Sequence, residues 1–190
     1  MTVSREMDEG ALVSRAQQGC EDSFVELMAR CRPALWRAAI RISGSEDDAL
    51  DICQETIIRL WKGLQSYRSN GHFVAWARTV AVNEAIRWVK RRGPVSEWVS
   101  IEDGELEANK AAQCEPVARI EMEGADRRRQ VESAMESLSA SQRVAFVLRH
   151  FEEKSVREIA QAMDCTEGSV KRHLFRAMEK LRRALSRKEV

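Results

Sequence analysis

No two cysteines in this 190-residue chain stand at metal-ligand spacing. Five are present, Cys20, Cys31, Cys53, Cys114 and Cys165, an odd and scattered number with no Cys-x-x-Cys and no cysteine–histidine cluster. A disulfide framework and a zinc site are therefore not expected, and a reduced, cytoplasmic setting is. Histidine is scarce as well. His72, His150 and His173 lie far apart and lack acidic partners at motif spacing. No phosphate loop or nucleophile elbow occurs, so the sequence offers no catalytic residues, points away from an enzyme and implies no cofactor. Apolar runs are short: none approaches the ~18 residues of a membrane-crossing helix, so no membrane insertion is expected. The first ten residues, MTVSREMDEG, lack the apolar core of a signal peptide. No β run is evident.

Charge of one sign is also missing overall, since 31 basic and 30 acidic residues leave a formal net charge of +1. That balance hides three blocks. Residues 1–93 hold 14 basic and 12 acidic side chains, residues 94–126 hold 2 and 9, and residues 127–190 hold 15 and 9. Such asymmetry points to a charged partner.

What the chain has in plenty is helical periodicity. ALVSRAQQ and SFVELMARCRPALWRAAIRI read as amphipathic helices, with Pro33 starting or kinking the second. SGSEDD breaks the pattern, and Ser45 is placed to cap the next helix. There Ala49, Ile52, Cys53, Ile57, Leu60, Trp61 and Leu64 share one expected inner face. QSYRSNGH is a loop, and FVAWARTVAVNEAIRWVKRR a further helix ended by Gly93-Pro94. Residues 94–126 have no clear period. The expected fold is all-α: a helical domain over 12–93, a flexible acidic linker over 94–126, and a second helical domain over 127–187.

In the second domain, SVREIAQAMDCTEGSVKRHLFRAMEKLRRAL breaks a helix for a few residues and restarts it at once. Ser155 and Glu158 fit a capping box. Asp164 tolerates a left-handed turn, and Thr166 suits an N-cap. Val170, Leu174, Ala177 and Leu181 form an inward stripe, which leaves Ser169, Lys171, Arg172, His173, Arg176, Lys180 and Arg183 outside. This is the grammar of a helix-turn-helix, whose second helix enters a DNA major groove. A plain solvated basic face is the alternative.

The first domain carries two further patterns. Glu46 to Glu55 holds five acidic residues and no basic one, with Asp48, Asp51 and Glu55 on one stripe; helix-dipole stabilisation alone would also explain them. From Arg59 to Arg92 the sign reverses to eight basic and one acidic, interleaved with Trp61, Tyr67, Phe73, Trp76 and Trp88. Some of these aromatics belong to a core. Basic and aromatic residues beside an Asn-Gly loop also suit single-stranded DNA.

Taken in order, SEDDALDICQETIIRLW, YRSNGHFVAWARTVAVNEAIRWVKRR and the C-terminal helix-turn-helix segment resemble the extracytoplasmic-function group of bacterial sigma-70 factors. The resemblance covers about residues 10–93 and 128–186. It implies a subunit that directs RNA polymerase to promoters. Asp48, Asp51, Gln54 and Glu55 would then dock on core RNA polymerase. Tyr67, Arg68, Ser69, Asn70 and His72 would capture a flipped base of the −10 element. Trp76, Arg78, Asn83, Arg87, Lys90 and Arg91 would melt and hold that element. Thr166, Glu167, Gly168, Ser169, Lys171, Arg172, His173 and Arg176 would meet the duplex −35 element. The acidic linker would thread toward the polymerase's RNA path, and an anti-sigma factor is a further partner the group implies. The chain departs from the group's pattern at Leu50, Ala77, Asp164, Arg172 and His173. A free-standing helix-turn-helix regulator is the other reading, but it leaves the acidic stripe and the aromatic-basic segment unused.

Overall fold

The computed structural model of the chain describes residues 8–68, 72–93, 98 and 125–186. All regular structure among them is helical. The chain separates into two compact units, Met1–Ala85 and Ile86–Val190. The division falls inside a helix. The linker over 94–126 lies outside the described residues, apart from Trp98 and the start of the next helix.

The first unit begins with α1 (Glu9–Gln17), α2 (Glu21–Ser43) and α3 (Glu46–Gly63), followed by a short 3₁₀ turn, Leu64–Ser66. Helix α2 continues through Pro33, which lies in its interior. It stops at Gly44, whose φ of 71° is left-handed backbone that glycine enters without a Cβ penalty. One residue later the Ser45 hydroxyl accepts the Asp48 N–H at 3.4 Å and opens α3. Two adjacent residues thus end one helix and begin the next, and α2 packs against both α1 and α3. Leu12, Val13, Leu27, Leu35, Ile42, Ile52 and Leu60 are buried in this unit. Helix α4 (Phe73–Arg92) follows the 66–72 segment.

The second unit contains α5 (Ala125–Ala134), a 3₁₀ turn, α6 (Ala140–His150), α7 (Val156–Met163) and α8 (Glu167–Ser186). Capping boxes open α6, with Ser139 and Gln142, and α7, with Ser155 and Glu158. The Ser155 N–H, then its hydroxyl, hold the Glu158 carboxyl below its usual range. Helix α8 packs on α5, α6 and α7 and buries Val170, Ala177, Met178 and Leu181.

Candidate nucleic-acid interface

The turn between α7 and α8 is built as its residue types dictate. Asp164 takes φ 54° and ψ 52°, the left-handed conformation expected of it. The Cys165 N–H donates to the Ala160 carbonyl at 3.0 Å and closes the end of α7. Thr166 then caps α8, its Oγ1 accepting the Ser169 N–H at 3.1 Å. Ala160 is 8% exposed and gives the crossing helix its close approach. Burial pushes the Cys165 thiol up, which keeps it protonated.

Two residues expected outside on α8 are inside. Ser169 and His173 are each 5% exposed. Ser169 lies in the cap, its Oγ 3.0 Å from Thr166 Oγ1. His173 falls between Val170 and Ala177, at i+3 and i−4, and so shares their inner arc. Leu174, placed inside by its spacing, is only half-buried, and Met178 takes the inner position instead. Thr166, Glu167, Lys171 and Arg176 are exposed. Gly168 and Arg172 are half-buried, and the Arg172 Nε is buried without a hydrogen-bond partner. The cationic surface of α8 is thus Lys171, Arg172 and Arg176, extended by the exposed Arg182 and Arg183.

Helix α4 offers a narrow strip. At about 100° per residue, Trp76, Asn83, Arg87 and Lys90 fall on one side. Asn83 and Arg87 are exposed there, Trp76 and Lys90 half-buried. Arg78 is exposed but sits about 140° round the helix from Asn83. Arg91 is held elsewhere: its guanidinium, like that of Arg92, lies 5.4 Å from the Trp88 ring centroid. Ahead of α4, Tyr67 packs on Trp76 at 4.7 Å and on Phe73 at 5.3 Å between ring centroids. Phe73 is fully buried, whereas Tyr67 and Trp76 are half-buried, and Arg68 and His72 are exposed. Ser69 and Asn70 lie outside the described residues.

Helix α3 departs most from its expected pattern. Its inner face is Ala49, Ile52, Thr56 and Leu60, all fully buried. Ile57 and Trp61, expected there, are 38% and 43% exposed. With Leu50 and Ile58, at 52% and 47%, they line the outer side. Trp61 is steadied by the Phe24 ring, 4.8 Å away. Leu50, Ile57 and Trp61 recur at i, i+7 and i+11, with Gln54 among them. Asp51 and Glu55 run beside this row, both exposed, and Asp48 is half-buried. The acidic stripe therefore borders an uncovered apolar one, of which the periodicity had assigned Ile57 and Trp61 to the core.

One residue escaped notice altogether. Glu84, on α4, is 1% exposed and forms an ion pair with Arg59 of α3. In the sequence it was merely the one acid among eight bases. Among the described residues no helix is long and apolar enough to cross a membrane, and no cluster of three His, Cys, Asp or Glu side chains could hold a metal ion.

Residues 27–94 match the family described as "Sigma-70 region 2", and residues 128–181 the family "Sigma-70, region 4". The chain is 31% identical over 180 residues to the ECF RNA polymerase sigma-E factor of Escherichia coli K12, covering 93% of this chain and 94% of that one. To the protein of the same name from Haemophilus influenzae it is 29% identical, over 93% and 95%. Among solved structures it is similar to the sigma factor RpoE in complex with the anti-sigma factor NepR from Bartonella quintana. The TM-score there is 0.52 at 26% identity, over 86% of this chain and 96% of that one.

Proposed function

The chain belongs to the sigma-70 family, in its extracytoplasmic-function group, and we propose that it divides promoter recognition between its two units. As an RNA polymerase sigma factor it directs transcription initiation at specific promoters. The outer face of α3 docks on core polymerase, with Leu50, Ile57, Ile58 and Trp61 supplying apolar contact and Asp48, Asp51 and Glu55 meeting basic charge. Gln54 adds a hydrogen-bonding amide within the apolar row. The segment from Tyr67 to His72 takes an unpaired −10 base, and Trp76, Asn83, Arg87 and Lys90 hold the strand. Helix α8 lies in the −35 major groove, with Lys171, Arg172 and Arg176 toward DNA. Ser169 and His173 support that helix from inside.

Magnitudes explain why two modules and a polymerase are needed together. Breaking a DNA step costs ~1.4 kcal/mol of stacking, and an aromatic platform returns ~1–3 kcal/mol per stacked base. A pocket for one base therefore offsets only one or two steps. A longer bubble needs the polymerase to hold it, while duplex contacts at α8 fix the register. The chain supplies no bond-making step of its own and acts in the cytoplasm, where the polymerase works. The acidic 94–126 segment, repelled by DNA, suits the polymerase's RNA path. An anti-sigma factor, the partner in the Bartonella complex, would inhibit by covering these surfaces.

The observation that carries this reading is the uncovered apolar row of α3 beside its acids. A monomer that only bound DNA would gain nothing by exposing Leu50, Ile58 and Trp61 together. Gel filtration of the purified chain with core RNA polymerase tests the assignment. Coelution supports it. A chain that eluted apart from polymerase while still binding duplex DNA would be a free-standing regulator.

A further inference from the structure

Helix α1 lies far in sequence from the 66–72 segment, yet its two ends hold the two ends of that segment. At its last residue, the Gln17 side-chain amide donates to the carbonyls of Leu64 and Tyr67, both at 2.9 Å. The Gln65 amide answers by donating to the Gln17 carbonyl at 2.6 Å. At the first residue of α1, the Glu9 carboxylate accepts the backbone N–H of Phe73 at 2.7 Å. Phe73 opens α4, so this N–H has no partner within its own helix. A carboxylate there also complements the positive end of the helix dipole. Leu64 and Tyr67 bound the last turn after α3, where the Leu64 carbonyl accepts the Tyr67 N–H at 3.1 Å as well as the Gln17 amide.

The polar ends of α1 are therefore a pair of splints. Gln17 fixes the exit from α3 and Glu9 fixes the entry to α4. Between them stand Arg68 and His72, the exposed residues that flank the loop centre. The strut joining the splints is rigid, because Leu12, Val13 and Ala16 are 1–2% exposed within the unit. The Tyr67, Phe73 and Trp76 rings close the space between the two ends.

We propose that α1 is the brace of the base-reading loop, and that Glu9 and Gln17 are positioning residues for −10 recognition although neither touches DNA. The proposal rests on the reading of residues 67–72 as the loop that takes the −10 base. Holding both ends sets the separation of Tyr67 from Phe73, the residues between which the loop runs. Loss of either splint leaves the polymerase face of α3 intact, since that face lies on the exposed side of its helix.

The experiment uses the full chain assembled with core polymerase, on a promoter chosen by selection and on single-base variants of its −10 element. The readout is discrimination: transcription from the chosen promoter divided by that from each variant. Gln17→Glu keeps the size of the side chain but loses both donors and sets a charge against two carbonyls. Glu9→Ala loses the acceptor, whereas Glu9→Gln keeps an acceptor oxygen. Gln17→Glu and Glu9→Ala are expected to lower discrimination about tenfold, the factor that a lost hydrogen bond of ~1.4 kcal/mol represents. Glu9→Gln should stay near wild type, and all should compete normally for core polymerase. A merely structural role would lower both promoters alike and leave the ratio unchanged, which would overturn the brace. If Gln17→Glu does not fold, Gln17→Ala and the Glu9→Ala against Glu9→Gln comparison decide the matter. Arg68→Ala with His72→Ala separates the two failures. Should this loop variant lose discrimination while the α1 variants keep it, the brace is wrong and the loop reading stands. Should the loop variant also keep it, both fall.

Discussion

Glu84 is held almost entirely out of water by its surroundings, with the Arg59 guanidinium as its ionic partner. Removing that partner takes a countercharge from a buried carboxylate. Arg59→Ala should therefore lower unfolding free energy by about 1–3 kcal/mol, less than the ~3–5 kcal/mol of a fully buried pair because water reaches the exposed guanidinium. Chemical denaturation of the two proteins measures it, and an unchanged midpoint would contradict it. Cysteine reactivity is the second test at this scale. The Ser23 hydroxyl, 3.1 Å from the Cys20 sulfur, brings that thiol below its ordinary value. Burial pushes the Cys31 thiol up to about 12. Because the thiolate is the reacting species, iodoacetamide at neutral pH should label Cys20 before Cys53 and Cys165 and leave Cys31 unlabelled in the folded chain, as peptide mass spectrometry would show. Neither feature was legible in the sequence. A lone acid in a basic helix reads as solvated until the neighbouring helix that covers it is known. Cys20 gains its partners only when the chain turns from α1 into α2.

Helices and their ends were legible where the signal is local. Ser45, Ser155 with Glu158, Asp164 and Thr166 all do what their types and spacing implied, because a cap needs only residues within one turn. Faces were less so. Ile57 and Trp61 are apolar and at helical spacing, yet they point out, since periodicity records which residues share a side and not which side is covered. Two predictions follow the corrected faces. On α8, Lys171→Glu and Arg176→Glu should each weaken duplex −35 binding and flatten its salt slope by about 0.9 per lost phosphate contact. His173→Ala should instead lower stability by ~1–3 kcal/mol through its core position, with binding by the folded fraction retained. Salt titrations and thermal melts separate these outcomes; a His173 variant that melted normally but lost DNA would return that ring to the surface. On α3, Asp51→Arg with Glu55→Arg should fold normally, since both side chains are exposed, and should fail to compete with wild type for core polymerase. Facing like charges cost several kcal/mol at an interface. Leu50→Ser, at a position 52% exposed, should change stability by less than ~0.5 kcal/mol and still weaken polymerase binding. Normal competition by either folded variant would remove this face from the docking surface.

At the scale of the whole chain, the two family matches, over 27–94 and 128–181, fall on either side of the acidic stretch. Three charge blocks, a break at Gly93-Pro94 and two separate helical patterns mark the same two segments in the sequence. The change of neighbours within α4 leaves no mark, because an unbroken helix carries its period across it. Asn83 and Arg87 both lie on this one unbroken helix. A factor that joins polymerase through α3, takes a base beside α4 and reads duplex with α8 must recognise two sequence blocks at a set separation. Transcription by purified core polymerase from a randomised promoter library, with and without this chain, tests that claim most directly. Transcripts that depend on the chain should come from promoters sharing two short blocks at one spacing, the downstream block losing its preference when Arg68 and His72 are replaced by alanine. Transcripts unchanged by adding the chain, or promoters sharing only a single palindromic block, would contradict it.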